Sequence, residues 1–510
     1  MSHINPRQVA KNSLFLYLRV FVIMLISLWT TRIVLRNLGV VDYGIYNVVA
    51  GFVVMFAILS SSMSAAISRY ITFELGKENL DRLKTIFRTS IYIQAILAGS
   101  IFILAETAGL WFVNVKLNVE RDNLIAANWV YQFAIFNFIM EIISIPFNAT
   151  IIAHERMKVF AYIGILKAAA TLLIAFLLVV VPSHQRLIFY AALLFLLSFI
   201  LRLIYGFYCH KHFPETKGRA KFDKSILKEI FRFAGWNFIG SSAGIAKDQG
   251  VNIVLNIFFG PVVNASRGIA IQVSAAATTF ANNFMVALNP QITKSYSSGD
   301  LTGSFKLCYL GARMGYFLMF LIGVPIIIET PQILRVWLGE IPQYSVIFVR
   351  LIIINALIDI LSYTLMVLQL ANGNIRNYQI VVGMCNLLVL PIAYILMKFH
   401  YPPQAAIIGG IVMSVVALLC RVIMVNRSTG LPIAQYFNDV ILRVLIVSIV
   451  SLGCIYLILK YSPFYNGILQ IAYVTFICLI ISTSAIYLLG ISKSERKKLL
   501  SVAKKYIYKK

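Results

Sequence analysis

The sequence is short of acid, of cysteine and of long polar stretches, and each shortage removes a class of function. Asp and Glu together number 19 against 45 Lys and Arg in 510 residues, and charged residues of both signs make up only 13%. Soluble chains carry about twice that charged fraction, so a water-soluble fold is excluded. The six cysteines show no CxxC and no Cys/His ligand spacing, which leaves no structural zinc or other metal site. Cys308, Cys385, Cys420, Cys454 and Cys478 fall in or beside apolar runs and Cys209 closes one, so they read as small apolar residues. Nothing matches GxxxxGK followed by Ser or Thr, which removes nucleotide-driven pumping, and no cofactor is implied. Connections between the apolar runs are short, so no large outer loop houses the catalytic residues of a polymerase or ligase.

What is present is hydrocarbon-compatible sequence: 60% of the residues are hydrophobic. Runs of roughly 20 apolar residues, the length that crosses about 30 Å of lipid, number about fourteen. They lie near 14–36, 44–68, 89–113, 123–149, 158–182, 187–209, 233–259, 262–290, 309–329, 345–371, 379–399, 404–425, 439–460 and 467–490. Continuous apolarity without period-2 alternation makes them helices rather than strands of a barrel. The first run carries Arg19 and Arg32 and no small-residue cleavage site follows it, so it reads as a span and not as a signal peptide. The fold class is therefore an all-α polytopic membrane protein.

Lys and Arg crowd into alternate loops, notably 77–88, 156–158, 209–232 and the tail after 493. Both termini and the 210–232 linker are thereby expected in the cytoplasm. The formal +26 then reflects topology and contact with anionic membrane lipids, and nucleic acid is not an expected partner. The linker is the longest internal loop, and an amphipathic helix on the membrane surface is expected from about Phe222. Internal repeats support a division there. "RIVLRNLG" at 32–39 is matched by "NIVLNIFFG" at 252–260, and "YITFELGKENLDRLK" from Tyr70 by "QITKSYSSGDLTGSFK" from Gln291, about 221 residues on. The expected organisation is two pseudo-symmetric six-helix lobes, 1–209 and 233–425, joined by the 210–232 linker. Two further helices and a basic tail follow in 426–510. Repeats of this kind place a substrate path between the halves.

The run "GIAKDQGVNIVLNIFFG" carries Lys247, Asp248 and Gln249 inside a span. Gly240, Gly244, Asp248, Asn252 and Asn256 recur every fourth residue and form one polar face. Such a face must look at protein or at a water-filled cavity, because a charge at mid-bilayer costs at least about 2.5–3.5 kcal/mol. Asn264, Gly268 and Gln272 repeat the spacing, with Arg267 beside them. Arg19, Arg32, Lys247, Asp248, Asn252, Asn256, Arg267 and Gln272 are the candidate substrate-binding residues, and Asp248, Asp359 and Glu141 the candidates for ion or proton coupling. For Lys247 and Asp248 a structural ion pair competes with a ligand role, as structural pairing does for Arg19, Arg32 and Glu141. Lys167, Arg202, Arg69 and Arg443 are expected to snorkel to the cytoplasmic interface, Arg313 joins the census of charges within spans, and His154 is expected to be solvated in a short loop.

At these residues the chain resembles a known family. "LRNLGVVDYGIYNVVAG", "FELGKENLDRLKTIFR", "IIAHERMKVFAYIGILK" and above all "FFGPVVNASRGIAIQVSAAATTFANNFMVALNPQITKSYSSGD" are similar to the polysaccharide and O-antigen flippase branch of the multidrug/oligosaccharidyl-lipid/polysaccharide (MOP) superfamily. The resemblance covers essentially the whole chain. It implies a V-shaped pair of bundles like that of the multidrug exporters, in the bacterial inner membrane. It implies a polyprenyl-pyrophosphate-linked oligosaccharide as substrate, flipped outward for O-antigen, capsule or exopolysaccharide assembly, with a polymerase and chain-length machinery as partners. A related branch places several arginines in its cavity, whereas Thr30 and Thr31 stand here near the position of a late arginine in the first span. A diphosphate suits Arg forks and Lys point charges, and sugars suit amides and aromatic faces. With no nucleotide loop, the drive is expected to come from a H+ or Na+ gradient, from the membrane potential acting on charge, or from consumption of the product outside. Two rival readings are a drug exporter, which needs buried acids for organic cations, and a membrane-bound polymerase or ligase, which needs an outer catalytic domain.

Overall fold

The computed structural model describes residues 6–54, 63, 67, 70–71, 74–75, 79–154, 156–217, 223–461, 467–491 and 495–496. Among them every regular element is a helix. In chain order they are α1 (Pro6–Val54), α2 (Leu80–Val115), α3 (Leu124–Ala153), α4 (Met157–Leu177), α5 (Arg186–His212), α6 (Lys224–Phe259) and α7 (Pro261–Ser297). There follow α8 (Leu301–Leu338), α9 (Ser345–Asn372), α10 (Arg376–Lys398), α11 (Gln404–Thr429), α12 (Ile433–Lys460) and α13 (Ile468–Gly490). Eleven stretches of the described residues are long and apolar enough to cross a bilayer, which makes this a multi-pass membrane protein. Of the other expected spans, 233–259 and 262–290 lie within α6 and α7, whose amides and small residues lower their hydropathy. The third, 44–68, begins in α1 beyond Gly39 and runs into residues outside the described ones.

The surface helix expected from Phe222 is not a separate element. Residues 218–222 lie outside the described ones, and α6 then continues unbroken from Lys224 through the seventh expected span to Phe259. No proline interrupts this stretch, and a helix entering lipid keeps its backbone bonded most simply by continuing. Asp223 caps its start by accepting from the Ser225 N–H at 2.7 Å, and the hydrogen bonds from Ser225 hold the Asp223 carboxyl below the usual carboxylate range.

The 221-residue repeat returns in the backbone. Gly39 has φ 82°, ψ 173° and Gly260 has φ 77°, ψ −174°, the same conformation at positions 221 apart, and one that glycine alone adopts without strain. Asn79 caps α2 by accepting from the Arg82 N–H, and Asp300, again 221 residues on, caps α8 by accepting from the Gly303 N–H. That bond, with the hydroxyls of Thr302 and Ser295, holds the Asp300 carboxyl low.

Two compact units result, Met1–Gly268 and Ile269–Lys510. In the first, α3 packs along α5 and α1 along α4, and α6 joins because it packs on α1. One of its cores gathers Ile67, Ile71, Leu83, Ile86, Ile93 and Ile145. In the second, α8, α9, α11 and α13 surround a core that includes Tyr309, Phe317, Leu365 and Tyr436.

A Cβ at Gly39 would meet nothing within 4 Å, and one at Gly260 would meet only the Asn118 amide at 3.7 Å. Gly39→Ala and Gly260→Ala are therefore expected to cost about 1–3 kcal/mol each through backbone strain alone. Gly99→Ala, in a helix with open space around it, should be neutral or stabilising. Thermal unfolding of the three variants in lipid nanodiscs checks this.

Candidate functional site

A cavity of about 440 Å³ opens within the first unit. On α1, Ile23, Ile26, Ser27, Thr30, Thr31 and Val34 line it, a spacing that keeps one helical face turned inward. Gly164, Lys167, Ala168 and Thr171 do the same on α4, and Tyr43, Tyr46 and Tyr190 complete the wall. Tyr46 and Tyr190 meet edge to face at 5.1 Å. Tyr46 also borders a smaller cavity of about 110 Å³ with Asn137 and Glu141, where Asn137 accepts a hydrogen bond from the Ser198 hydroxyl.

Lys167 and Glu141 form an ion pair of 2.6 Å, with side chains 49% and 46% exposed. Lys167 stands about ten residues, or ~15 Å, into α4, so it does not snorkel as expected but finds its countercharge on α3. Pairs this exposed contribute only about 0–1 kcal/mol where water reaches them.

The opening amides behave differently. Asn256 is 0% exposed; its Oδ1 accepts from the Asn118 N–H at 2.9 Å and its Nδ2 donates to Asn264 Oδ1 at 2.9 Å. Asn264 Nδ2 donates to the Asn252 carbonyl and to Asn252 Oδ1, at 2.7 and 2.8 Å. Asn252 Nδ2 reaches the Asn47 carbonyl at 3.4 Å, and Asn47 Nδ2 donates to the Tyr43 carbonyl. Close approach is possible because Gly44 has no side chain: a Cβ there would stand 1.9 Å from the Pro261 carbonyl oxygen. In this conformation Asn252 and Asn256 are thus spent on fastening α6 and α7 to α1, and their candidacy for sugar binding applies to a state in which this clasp is open.

The remaining candidates are scattered. The Arg19 side chain lies outside the described residues, as does Arg69. Arg32 sits over the exposed Trp29 ring, 5.8 Å from its centroid, off the cavity-lining face of α1. Lys247 is half-buried and Asp248 exposed. Neighbours on a helix point about 100° apart, and among the described residues no ion pair joins these two. Asp248 instead supplies the opposite charge acting on Arg267, which is 6% exposed and has an Nε without a hydrogen-bond partner among the described residues. Gln272 is half-buried in α7, in the second unit. Asp359, also there, is exposed and accepts from Asn355 at 2.7 Å. Arg313 is buried and donates to the Asp439 carbonyl at 3.0 Å and to Glu495 at 2.5 Å.

Other expectations change for the same reason, that partners are nearer than water. Arg202 lies over the Phe147 ring at 4.1 Å and Arg443 pairs with Asp439 at 2.9 Å. His154 is not simply solvated: it is 2.5 Å from the buried Glu215 and stacks on Phe213. The tyrosine wall and the role of Lys167 were missed in the sequence. Ser27, Thr31 and Tyr190 look like ordinary span residues until the α1 and α4 faces are set against each other.

Comparison with known proteins places this geometry. Residues 9–298 match the family described as "Polysaccharide biosynthesis protein". The uncharacterized membrane protein EpsK of Bacillus subtilis is 22% identical over 326 residues, and the match spans 63% of each chain, less than two thirds of that relative's length. Among solved structures, the chain is similar to a Lipid II flippase MurJ in an inward closed conformation, with TM-score 0.68, 13% identity and coverage of 93% of this chain and 98% of that one. It is also similar to an inward-facing multidrug resistance MATE family transporter of the MOP superfamily, with TM-score 0.65, 13% identity and coverage of 81% and 98%. The fold is similar to that of these two proteins.

The clasp makes a prediction about stability. Asn264→Ala strips partners from the Asn256 amide and from Asn252 at once, and is expected to cost about 1–3 kcal/mol. Asn114→Ala removes an exposed amide paired only with Asn128 and the Leu110 carbonyl and should stay within about 0.5 kcal/mol. Unfolding midpoints of the two purified variants decide it; equal effects would mean that the buried network holds nothing together.

Proposed function

The chain belongs to the polysaccharide biosynthesis protein family, and from that premise we propose that it is a transporter of polyprenyl-pyrophosphate-linked oligosaccharide repeat units. In this reading it is not an enzyme: it carries its substrate unchanged from the cytoplasmic to the outer leaflet of a bacterial inner membrane, for O-antigen, capsule or exopolysaccharide assembly. The observation that carries the reading is the half-exposed Lys167–Glu141 pair beside a tyrosine-walled cavity inside membrane helices. The ammonium supplies a point charge for a diphosphate, and tyrosine faces and hydroxyls suit sugar rings. A cavity of about 440 Å³ is of the size that holds a compact polar headgroup, while the polyprenyl tail stays in lipid. The neighbour named as a Lipid II flippase supports a lipid-borne cargo.

The two repeats, 1–209 and 233–425, would act as the moving bodies, with the amide clasp parting as the outer side opens. A H+ or Na+ gradient would supply the drive. Both termini would face the cytoplasm, where Lys and Arg crowd, and the polymerase and chain-length machinery would take the product outside. A drug-exporter reading is weaker here because no acid lines this cavity among the described residues, and Glu141 of the smaller neighbouring cavity already holds a cation of the protein.

Proteoliposomes loaded with a fluorescent polyprenyl-pyrophosphate oligosaccharide test the proposal. The wild-type protein should expose the label to an impermeant quencher, Lys167→Gln should slow this strongly, and Lys167→Arg should restore much of it. Absence of flipping by well-folded wild-type protein, with transport of an organic dye in its place, would refute the reading.

A further inference from the structure

The larger cavity has a neighbour for which the transport reading names no occupant. This second cavity, of about 110 Å³, lies against the first, and Tyr46 lines both. Three helices of the first unit turn a face toward it: Tyr46 and Ala50 come from α1, Ala134, Asn137 and Glu141 from α3, and Ala191 from α5. Alanine at three of these positions is what leaves the room. At roughly 30 Å³ for each water-sized group, the space takes three or four heavy atoms, too few for a sugar ring.

Its polar equipment is a donor and an acceptor on one helix. Ser198, buried on α5, donates to Asn137 Oδ1, which fixes the amide and leaves Nδ2 without a partner among the described residues. Lys167 donates to Glu141 Oε1 at 2.6 Å, and Oε2 of the same carboxylate accepts no hydrogen bond from the described residues. Asn137 and Glu141 stand four residues apart, about one turn or ~5.4 Å along α3. The cavity therefore offers an N–H donor, a carboxylate oxygen and a floor of methyl groups to one small occupant.

From this lining we infer that the small cavity is a subsite for an acylamino group, and that the sugar next to the diphosphate carries an acetamido substituent on the neighbouring ring carbon. The inference rests on the function proposed above and names the first sugar of that cargo. An acetamido group has four heavy atoms, which suits the volume. A trans amide presents its C=O and N–H on opposite edges, which suits partners a turn apart. Asn137 Nδ2 donates to the acyl oxygen, Glu141 Oε2 accepts from the amide N–H, and the methyl rests on the alanines.

Lys167 sets which ring carbon bears the group. It lines the larger cavity and Glu141 the smaller, and their ion pair joins the two. An ammonium has three donors, so Lys167 can hold Glu141 and a phosphate oxygen together. The substituents received by Lys167 and Glu141 must then lie close on the cargo, as a diphosphate on C1 and an acylamino group on C2 do. A hydroxyl on C2 reaches one of Asn137 and Glu141 and leaves the alanine floor empty. A free amine there would bring a second ammonium beside Lys167. An isoprene unit of the tail would cover both polar groups without bonding either.

Competition binding to the full chain in nanodiscs tests the subsite, with a fluorescent polyprenyl pyrophosphate as the displaced probe. The two competitors are polyprenyl-pyrophosphate hexoses that differ only at C2, one acetamido and one hydroxyl. The wild type should bind the acetamido lipid roughly 10- to 100-fold more tightly, since the hydroxyl lipid leaves a polar group unmatched and apolar space unfilled. Asn137→Leu, which removes the donor, and Ala134→Leu, which fills the space, should each bring the ratio to within about threefold. Both affinities are read on one preparation, so a smaller folded fraction cancels from the ratio. Asn128→Leu, also on α3 but at an amide paired with Asn114, should keep the full ratio. Equal affinities in the wild type, or a full ratio surviving in either cavity variant, would overturn the subsite and leave the proposed cargo standing, as would loss of the ratio in Asn128→Leu. Failure of the wild type to bind either lipid or the probe would overturn the cargo, and the subsite with it.

Discussion

Hydrocarbon offers no hydrogen bonds, so each polar group that these helices carry into the membrane has to find its partner within the protein. Apolar packing cannot substitute, because lipid tails solvate leucine as well as a neighbouring helix does. The molecule's polar side chains therefore decide which helices hold together, and at what strength. Asn47, Asn252, Asn256 and Asn264 are joined in one chain of hydrogen bonds that runs from the Asn118 N–H to the Tyr43 carbonyl. The two terminal nitrogens of Arg313 are held by the Asp439 carbonyl and by Glu495. Atoms bonded in this way are unavailable to a ligand in the same conformation.

What is left over is more informative about function. The Lys167–Glu141 pair is half-exposed beside a cavity, and in the proposed function the ammonium would meet the diphosphate there. Arg267, nearly buried with one nitrogen unpartnered among the described residues, retains hydrogen-bonding capacity at the edge of the clasp. The proposed transport would need both kinds of group: a clasp strong enough to close one side, and unspent charge to receive the cargo. A network of neutral amides suits the first task, since opening it exposes dipoles and leaves no bare charge in lipid.

The fold was legible because its signals are long and local. Apolar runs set the helices, and the spacing of 221 residues between two glycine-closed motifs reappears as matched backbone angles at Gly39 and Gly260. The polar face of α6 was also legible as a face, but its role was not. Whether Asn252 meets a sugar or the Asn47 carbonyl depends on a chain segment some 200 residues away, and periodicity within one helix carries no such information. The same limit hid Lys167, whose distance from a helix end suggested snorkelling until α3 brought Glu141 to it.

The central claim is that the polar head of a lipid-linked sugar occupies the cavity between α1, α4 and α5 in the first unit. A polyprenyl-pyrophosphate oligosaccharide with a photoreactive group on its first sugar, irradiated with the full chain in nanodiscs and mapped by peptide mass spectrometry, addresses it directly. The account predicts adducts on Ser27 to Val34, on Gly164 to Thr171 and on Tyr46 or Tyr190, displaced by unlabelled lipid-linked sugar. Adducts confined to lipid-facing positions such as Ile449 and Tyr456 of α12, or undiminished by competitor, would contradict it.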